Sequence, residues 1–153
     1  MAIGPSQNEY DCVVMGGGPA GSTVATLVAQ TGAATLLVER DKLPRFHVGE
    51  SLMPETYWTL QRLGVLERLR SSCFARKVGV QFVAPSGRES QPFLFNEYDP
   101  RDCSQTWHVE RAEFDMLLFD NACEQGAECH DETRVLDVDL PGTPPHAVRL
   151  RSA

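Results

Sequence analysis

After a polar stretch to Glu9, the chain enters an apolar run, Cys12-Val13-Val14-Met15. The pattern predicts a short buried strand over Tyr10 to Met15. Glycines follow. From Ala20 to Gln30, small residues give way to Leu27 and Val28, which predicts a helix, and Gly32 stops it. Ala34 to Val38 is a second apolar run that ends at Glu39. Strand, helix and strand within about 30 residues make a βαβ unit with parallel strands and a right-handed crossover.

Beyond Asp41 to Gly49, which reads as irregular, Ser51 is placed to cap a helix running to Leu63, with Pro54 in its first turn. Tyr57, Leu60 and Leu63 share its apolar stripe, and Gly64 ends it. Val78 to Ala84 alternates as a strand before the turn Pro85-Ser86-Gly87, and Pro92 to Phe95 reads as its returning partner. Gln105 to Val109 is a further strand. Arg111 to Gln125 has Phe114, Leu117, Leu118 and Ala122 at helical spacing, with Gly126 at the end. Thr133 to Leu140 and His146 to Leu150 read as a hairpin across Pro141-Gly142. No closing helix follows, so the chain is expected to be the amino-terminal part of a longer protein.

A net charge of −7 argues against a nucleic-acid partner, which would call for a basic face. No apolar run is long enough to span a membrane, and the polar N-terminus lacks the apolar core of a secretory signal. The five cysteines (Cys12, Cys73, Cys103, Cys123 and Cys129) are odd in number, scattered and without a C-x-x-C pair. That fits reduced thiols and a cytoplasmic setting better than a disulfide frame or a zinc site.

The sharpest chemical signal is Gly16-Gly17-Gly18-Pro19-Ala20-Gly21, which fits G-x-G-x-x-G between a strand and a helix. Gly16 permits the turn off the strand, Gly18 lets backbone approach a pyrophosphate, and Gly21 lets the helix pack on the sheet. The helix N-terminus offers free N–H groups to phosphate. Glu39, at the end of the second strand, can accept hydrogen bonds from ribose hydroxyls and would repel the 2′-phosphate of NADP. FAD and NAD share this fingerprint, so the motif alone leaves both open.

Three stretches resemble the flavoprotein hydroxylase superfamily. The first is Gly16 to Ser22 with Glu39-Arg40. The second is Pro44-Arg45-Phe46-His47-Val48-Gly49-Glu50-Ser51-Leu52-Met53-Pro54, similar to the loop of its halogenase and geranylgeranyl-reductase-like branch. The third is His108 to Asp115. The resemblance implies an α/β, Rossmann-like FAD-binding domain with a parallel sheet. It also implies the start of an inserted antiparallel substrate-domain sheet at about 78–110. The cofactor implied is FAD, held by Gly16, Gly18, Pro19, Ala20, Gly21, Ser22, Glu39, Arg40, Arg45, Gly49, Glu50, Ser51 and Arg111. Capping of a helix start is the competing reading for Glu50 and Ser51, and a solvated surface residue is the competing reading for Arg45. Arg111 opens a helix, the unfavourable end for a cation, which favours a ligand-binding role.

Lys77-Val78-Gly79-Val80-Gln81-Phe82 resembles the K-x-G-x-x-F segment of flavin-dependent halogenases. There, reduced FAD and oxygen convert halide to hypohalous acid, and a lysine presents the halogen to an electron-rich aromatic. The resemblance makes Lys77 the catalytic candidate, placed just before a strand, with a surface lysine as the competing reading. The expected partners are a small aromatic substrate and a separate flavin reductase. The alternatives are a flavoenzyme that reduces prenyl double bonds and a non-catalytic nucleotide-binding fragment.

Overall fold

The computed structural model describes residues 5–139, 142 and 147–152. The chain divides into two compact units, residues 1–47 with 111–153, and residues 48–110.

The first unit is built on three parallel strands. Strand β1 (Cys12–Met15) leads through helix α1 (Pro19–Ala29) to β2 (Thr35–Val38). Here α2 is Thr56–Arg62, α3 is Leu66–Arg70 and α4 is the short Phe95–Tyr98; α5 (Arg111–Glu124) returns the chain to the first unit and leads to β7 (Glu128–His130). The sheet order is β1-β2-β7. In register, Val14 faces Leu37, and Leu37 in turn faces Cys129. Every residue of β2 is buried, as befits the central strand of a parallel sheet. Strand β1 is only half-buried, with Met15 exposed, because it stands at the sheet's edge. The core joins Ala25 and Ala29 of α1, Leu37, Leu43, and Phe119 and Ala122 of α5. The small residues along α1 let α5 lie close against it. A two-stranded antiparallel ribbon follows, β8 (Thr133–Asp139) with β9 (Ala147–Ser152). The expected ends of this hairpin at Leu140, Pro141 and His146 lie outside the described residues.

Among the described residues, the second unit holds α2, α3, α4, two short strand pairs and two isolated bridges. β3 (Ala75–Lys77) pairs antiparallel with β6 (Thr106–His108), and β4 (Gly79–Val80) with β5 (Phe93–Leu94). Its core contains Tyr57, Leu60, Leu63, Val65, Leu69, Phe95 and Trp107. The stripe read from Tyr57, Leu60 and Leu63 is therefore internal, and Gly64 follows the helix end with φ +76°.

Two expectations need correction. The helix begins at Thr56 instead of beside Ser51, with Glu55 at its cap position, so Glu50 and Ser51 cap nothing. Their backbone is committed elsewhere: Ser51 bridges to His108, and the Glu50 carbonyl accepts from Val109 N–H at 2.8 Å. The strand expected over Val78 to Ala84 is shorter, Gly79–Val80, and Lys77, which precedes it as expected, also ends a strand of its own, β3. The chain does reverse at Pro85-Ser86-Gly87, where Gly87 N–H donates to Ala84 O.

Candidate functional site

The turn between β1 and α1 is shaped by its glycines. Gly16 has φ +103°, which favours glycine. A Cβ on Gly21 would lie 1.9 Å from Gly16 O, so the helix can start this close to the strand only with glycine there. A Cβ on Gly17 would press on Phe119 and Glu39. Gly18 differs: a Cβ there would meet only Arg45 Nη2, at an ordinary contact distance of 3.6 Å. Gly18 is the extended N-cap of α1, Pro19 and Ala20 form the first turn, and no side chain caps the helix. Ser22 is fully buried, its hydroxyl donating to Gly17 O at 3.2 Å.

Glu39 sits directly beyond this turn. Its backbone is tied on both sides, N–H to His130 O and carbonyl to Thr133 N–H, each at 2.8 Å. Its buried carboxylate accepts from Gly17 N–H at 2.8 Å, Asp41 N–H at 3.0 Å and Arg45 Nη2 at 3.0 Å. Burial alone would raise its pKa. The bonds from Asp41, Arg45 and Gly17 outweigh burial and hold the group below the usual carboxylate range.

Arg45 continues the chain of charge. Its Nη1 donates to Asp115 at 2.8 Å, and Asp115 takes Arg111 Nε at 2.8 Å and Nη2 at 3.0 Å. Asp115 is completely buried, and its carboxylate offsets the unfavourable position of Arg111 at the start of α5. Desolvation pulls the Arg45 pKa down, but Glu39 and Asp115 raise it overall. Arg45 Nε is buried without a partner, an unfilled donor beside the glycine turn. Alternation of charge, Glu39–Arg45–Asp115–Arg111, fixes both guanidinium groups. Asp115 escaped sequence reasoning as a site residue. Its signal was its position four residues after Arg111, but its second partner lies 70 residues away.

A cleft of about 400 Å³ is lined by Gly16, Glu39, Arg40, Arg45, His47 and Thr133, among others. Arg40 is exposed and reaches Asp41 at 3.5 Å. The first unit thus gathers Gly16, Gly18, Pro19, Ala20, Gly21, Ser22, Glu39, Arg40, Arg45 and Arg111. An open glycine backbone, an uncapped helix start and a rigidly held carboxylate suit the diphosphate and ribose of a dinucleotide.

Gly49, Glu50, Ser51 and Lys77 belong to the second unit. Gly49 has φ +115°, and its N–H reaches Glu50 Oε2 at 3.3 Å. Lys77 is 7% exposed, so it is not a surface lysine. Its Nζ donates to Leu52 O at 3.2 Å, approaches Met53 Sδ at 3.8 Å and lies 5.5 Å from the Phe95 ring centroid.

Among the described residues no helix is long and apolar enough to cross a membrane. The sequence model of the tryptophan halogenase family matches residues 11–96. The chain is 36% identical over 151 residues to a 1H-pyrrole-2-carbonyl peptidyl-carrier-protein chlorinase of Pseudomonas fluorescens, covering 88% of this chain and 34% of that protein. The structure of a myxobacterial chondrochloren halogenase, described as FAD-dependent, superposes with a TM-score of 0.85 at 35% identity, covering 94% of this chain and 33% of that one. A flavoprotein/dehydrogenase from Cytophaga hutchinsonii superposes with a TM-score of 0.84 at 34% identity, covering 93% and 35%. The chain spans about a third of the length of these relatives.

Proposed function

Because the chain belongs to the tryptophan halogenase family of flavin-dependent halogenases, we propose that the protein carrying it is an FAD-dependent oxidoreductase that halogenates or hydroxylates an electron-rich aromatic molecule. The observation that carries the dinucleotide site is the backbone at Gly18, set between an uncapped helix start and the buried carboxylate of Glu39, and the choice of FAD rests on the family. Reduced FAD would supply the electrons that activate oxygen.

The residues of this chain divide the work of holding it. The turn at Gly16 and Gly18 and the start of α1, with Pro19, Ala20, Gly21 and Ser22, receive the diphosphate. Glu39 takes the adenosine ribose, its Oε1 bound only by Asp41 N–H and so open to a further donor. Arg45, Arg40 and Arg111 supply positive charge, two of them oriented by Asp115. Gly49, Glu50 and Ser51 lie on the segment assigned to the flavin side.

Lys77 is the proposed catalytic residue. A buried ammonium held by a carbonyl, a thioether and a ring face keeps donor capacity for a substrate. The test uses the protein carrying this sequence with reduced FAD, oxygen and halide. Halide-dependent modification of a phenol or pyrrole is expected, and Lys77→Ala should abolish it with FAD affinity unchanged. Normal halogenation by that variant would remove Lys77 from the mechanism. A hydroxylated product without halide dependence would make the enzyme a monooxygenase.

A second reading is a flavoenzyme that reduces prenyl double bonds, an oxidoreduction without halide or oxygen; the likeness to the Cytophaga flavoprotein/dehydrogenase supports a flavoprotein fold common to both readings. Consumption of a prenyl substrate under anaerobic conditions separates it from the first. A separate flavin reductase is the proposed electron source, and omitting it should halt turnover unless reduced FAD is supplied.

A further inference from the structure

No two of the five cysteines make a C-x-x-C pair, yet the fold brings two of them together. Cys123 lies in the last turn of α5, and Cys129 is the middle residue of β7. Between them Gly126, with φ +101°, turns the chain back. Its N–H donates to Cys123 O, and Ala127 N–H donates to Ala122 O, each at 3.0 Å. In an α-helix the Phe119 carbonyl is the acceptor of the Cys123 amide. Cys129 Sγ lies 4.0 Å from that oxygen, and Cys129 packs against the core that holds Phe119 and Ala122. There the Cys123 and Cys129 thiols interact side chain to side chain.

Their surroundings differ. Cys123 is exposed, whereas Cys129 is half-buried. The Cys129 thiol draws the Cys123 thiol below the ordinary thiol range, against burial and the charges of Asp120 and Glu124. Cys129 is pushed up, by Cys123 first and by burial second. An accessible thiol that ionises readily, with a second thiol in reach, is the arrangement that oxidises reversibly.

We propose that Cys123 and Cys129 form a reversible oxidation site for hydroperoxides, with Cys123 the attacking thiol and Cys129 the resolving one. The Cys123 thiolate attacks one peroxide oxygen, the O–O bond breaks, and hydroxide leaves a sulfenic acid on Cys123. Cys129 then gives up its proton and attacks the Cys123 sulfur. The S–O bond breaks, the S–S bond forms, and the departing hydroxide takes that proton. Counting the proton Cys123 first released, the two thiols lose two electrons and one hydrogen peroxide becomes two waters. The bridge ties the end of α5 to β7, whose His130 O holds the Glu39 N–H at 2.8 Å. The site rests on the thiol pair and is independent of the halogenation reading.

The protein carrying this sequence is reduced, treated with hydrogen peroxide, digested without reductant and mapped by mass spectrometry. A Cys123–Cys129 bridge that dithiothreitol reverses is expected, together with slower hydrogen exchange of the β7 amides. Wild-type Cys123 should also react with iodoacetamide faster than in Cys129→Ala, which lacks the neighbouring thiol. Under peroxide that variant should stop at a sulfenic acid on Cys123, captured by dimedone, and Cys123→Ser should leave Cys129 unlabelled. Circular dichroism checks the folding of each. A wild-type map in which both residues stay thiols, or pair with other cysteines, overturns the site whatever the variants do. Dimedone labelling of Cys129 in Cys123→Ser, or equal iodoacetamide rates, overturns the division of roles. Unchanged exchange in the bridged protein overturns the fastening of β7.

Discussion

Replacing Asp115 by Asn isolates the charge that joins Arg45 to Arg111. The carboxylate is fully buried and accepts three hydrogen bonds, at 2.8, 2.8 and 3.0 Å. Asn keeps the volume and one carbonyl oxygen. It loses the negative charge, and its NH₂ group turns donors toward donors. Removing one partner of a buried ion pair costs about 3–5 kcal/mol. The remaining carbonyl recovers about 1 kcal/mol as a neutral acceptor, so a net loss of about 2–4 kcal/mol is expected. For a chain of this size each kcal/mol moves Tm by about 2–4 °C, and the midpoint should fall by roughly 5–15 °C. Thermal melts followed by circular dichroism, paired with urea titrations, measure it. A second arm tests coupling. Asp115→Asn and Arg45→Gln combined should destabilise by less than the sum of the two, because each removes the other's partner. A Tm change below about 2 °C, or strict additivity of the pair, would refute the claim that the four charges act as a unit.

Gly18→Ala and Gly21→Ala should separate binding from folding. A Cβ at Gly21 collides with Gly16 O at 1.9 Å and should cost upward of about 3 kcal/mol in a urea titration, whereas Gly18→Ala meets nothing closer than 3.6 Å and should melt near wild type while losing FAD affinity by fluorescence titration. Near-normal FAD affinity in a folded Gly18→Ala would count against the proposed diphosphate cradle. Glu128 ties the N-terminal segment to β7, accepting from Ser6, Tyr10 and His130. Burial raises its pKa, but these bonds bring it down to about 2 from 4.5. A depressed pKa means the stabilisation is complete above about pH 4.5 and is lost as pH falls toward about 2. Acid titrations of stability should therefore converge for wild type and Glu128→Gln at low pH and diverge at neutral pH; parallel curves would refute the role of Glu128.

The βαβ unit was legible because local rules dictate it. The glycine spacing, the apolar runs and the stop at Gly32 all lie within one short stretch, and the structure places β1, α1 and β2 within two residues of the expected bounds. Helix α5 was legible for the same reason. Strand β7 was not: Glu128, Cys129 and His130 show neither alternation nor an apolar run, and pairing with β2 alone makes them a strand. The expected cap at Ser51 failed because His108, far along the chain, claims that backbone. Helix α3, at five residues, is too short to show a period. At the candidate site, Glu39 and Arg45 could be named from sequence, yet their ion pair through to Asp115 could not, since it is closed by tertiary packing.

Among the described residues, strand β2 has a parallel neighbour on each side, whereas β1 and β7 each have one. The consequence is an order of opening. Fraying at one margin of the sheet releases the amides of that strand and those β2 amides that donate to it, so exchange across the whole of Thr35 to Val38 needs both margins to open. Glu39 follows that slowest segment directly and is pinned by His130 and Thr133. Because His130 belongs to β7, fraying of that margin loosens the Glu39 backbone, whereas the carboxylate stays tethered to Gly17, Asp41 and Arg45, which do not lie on β7.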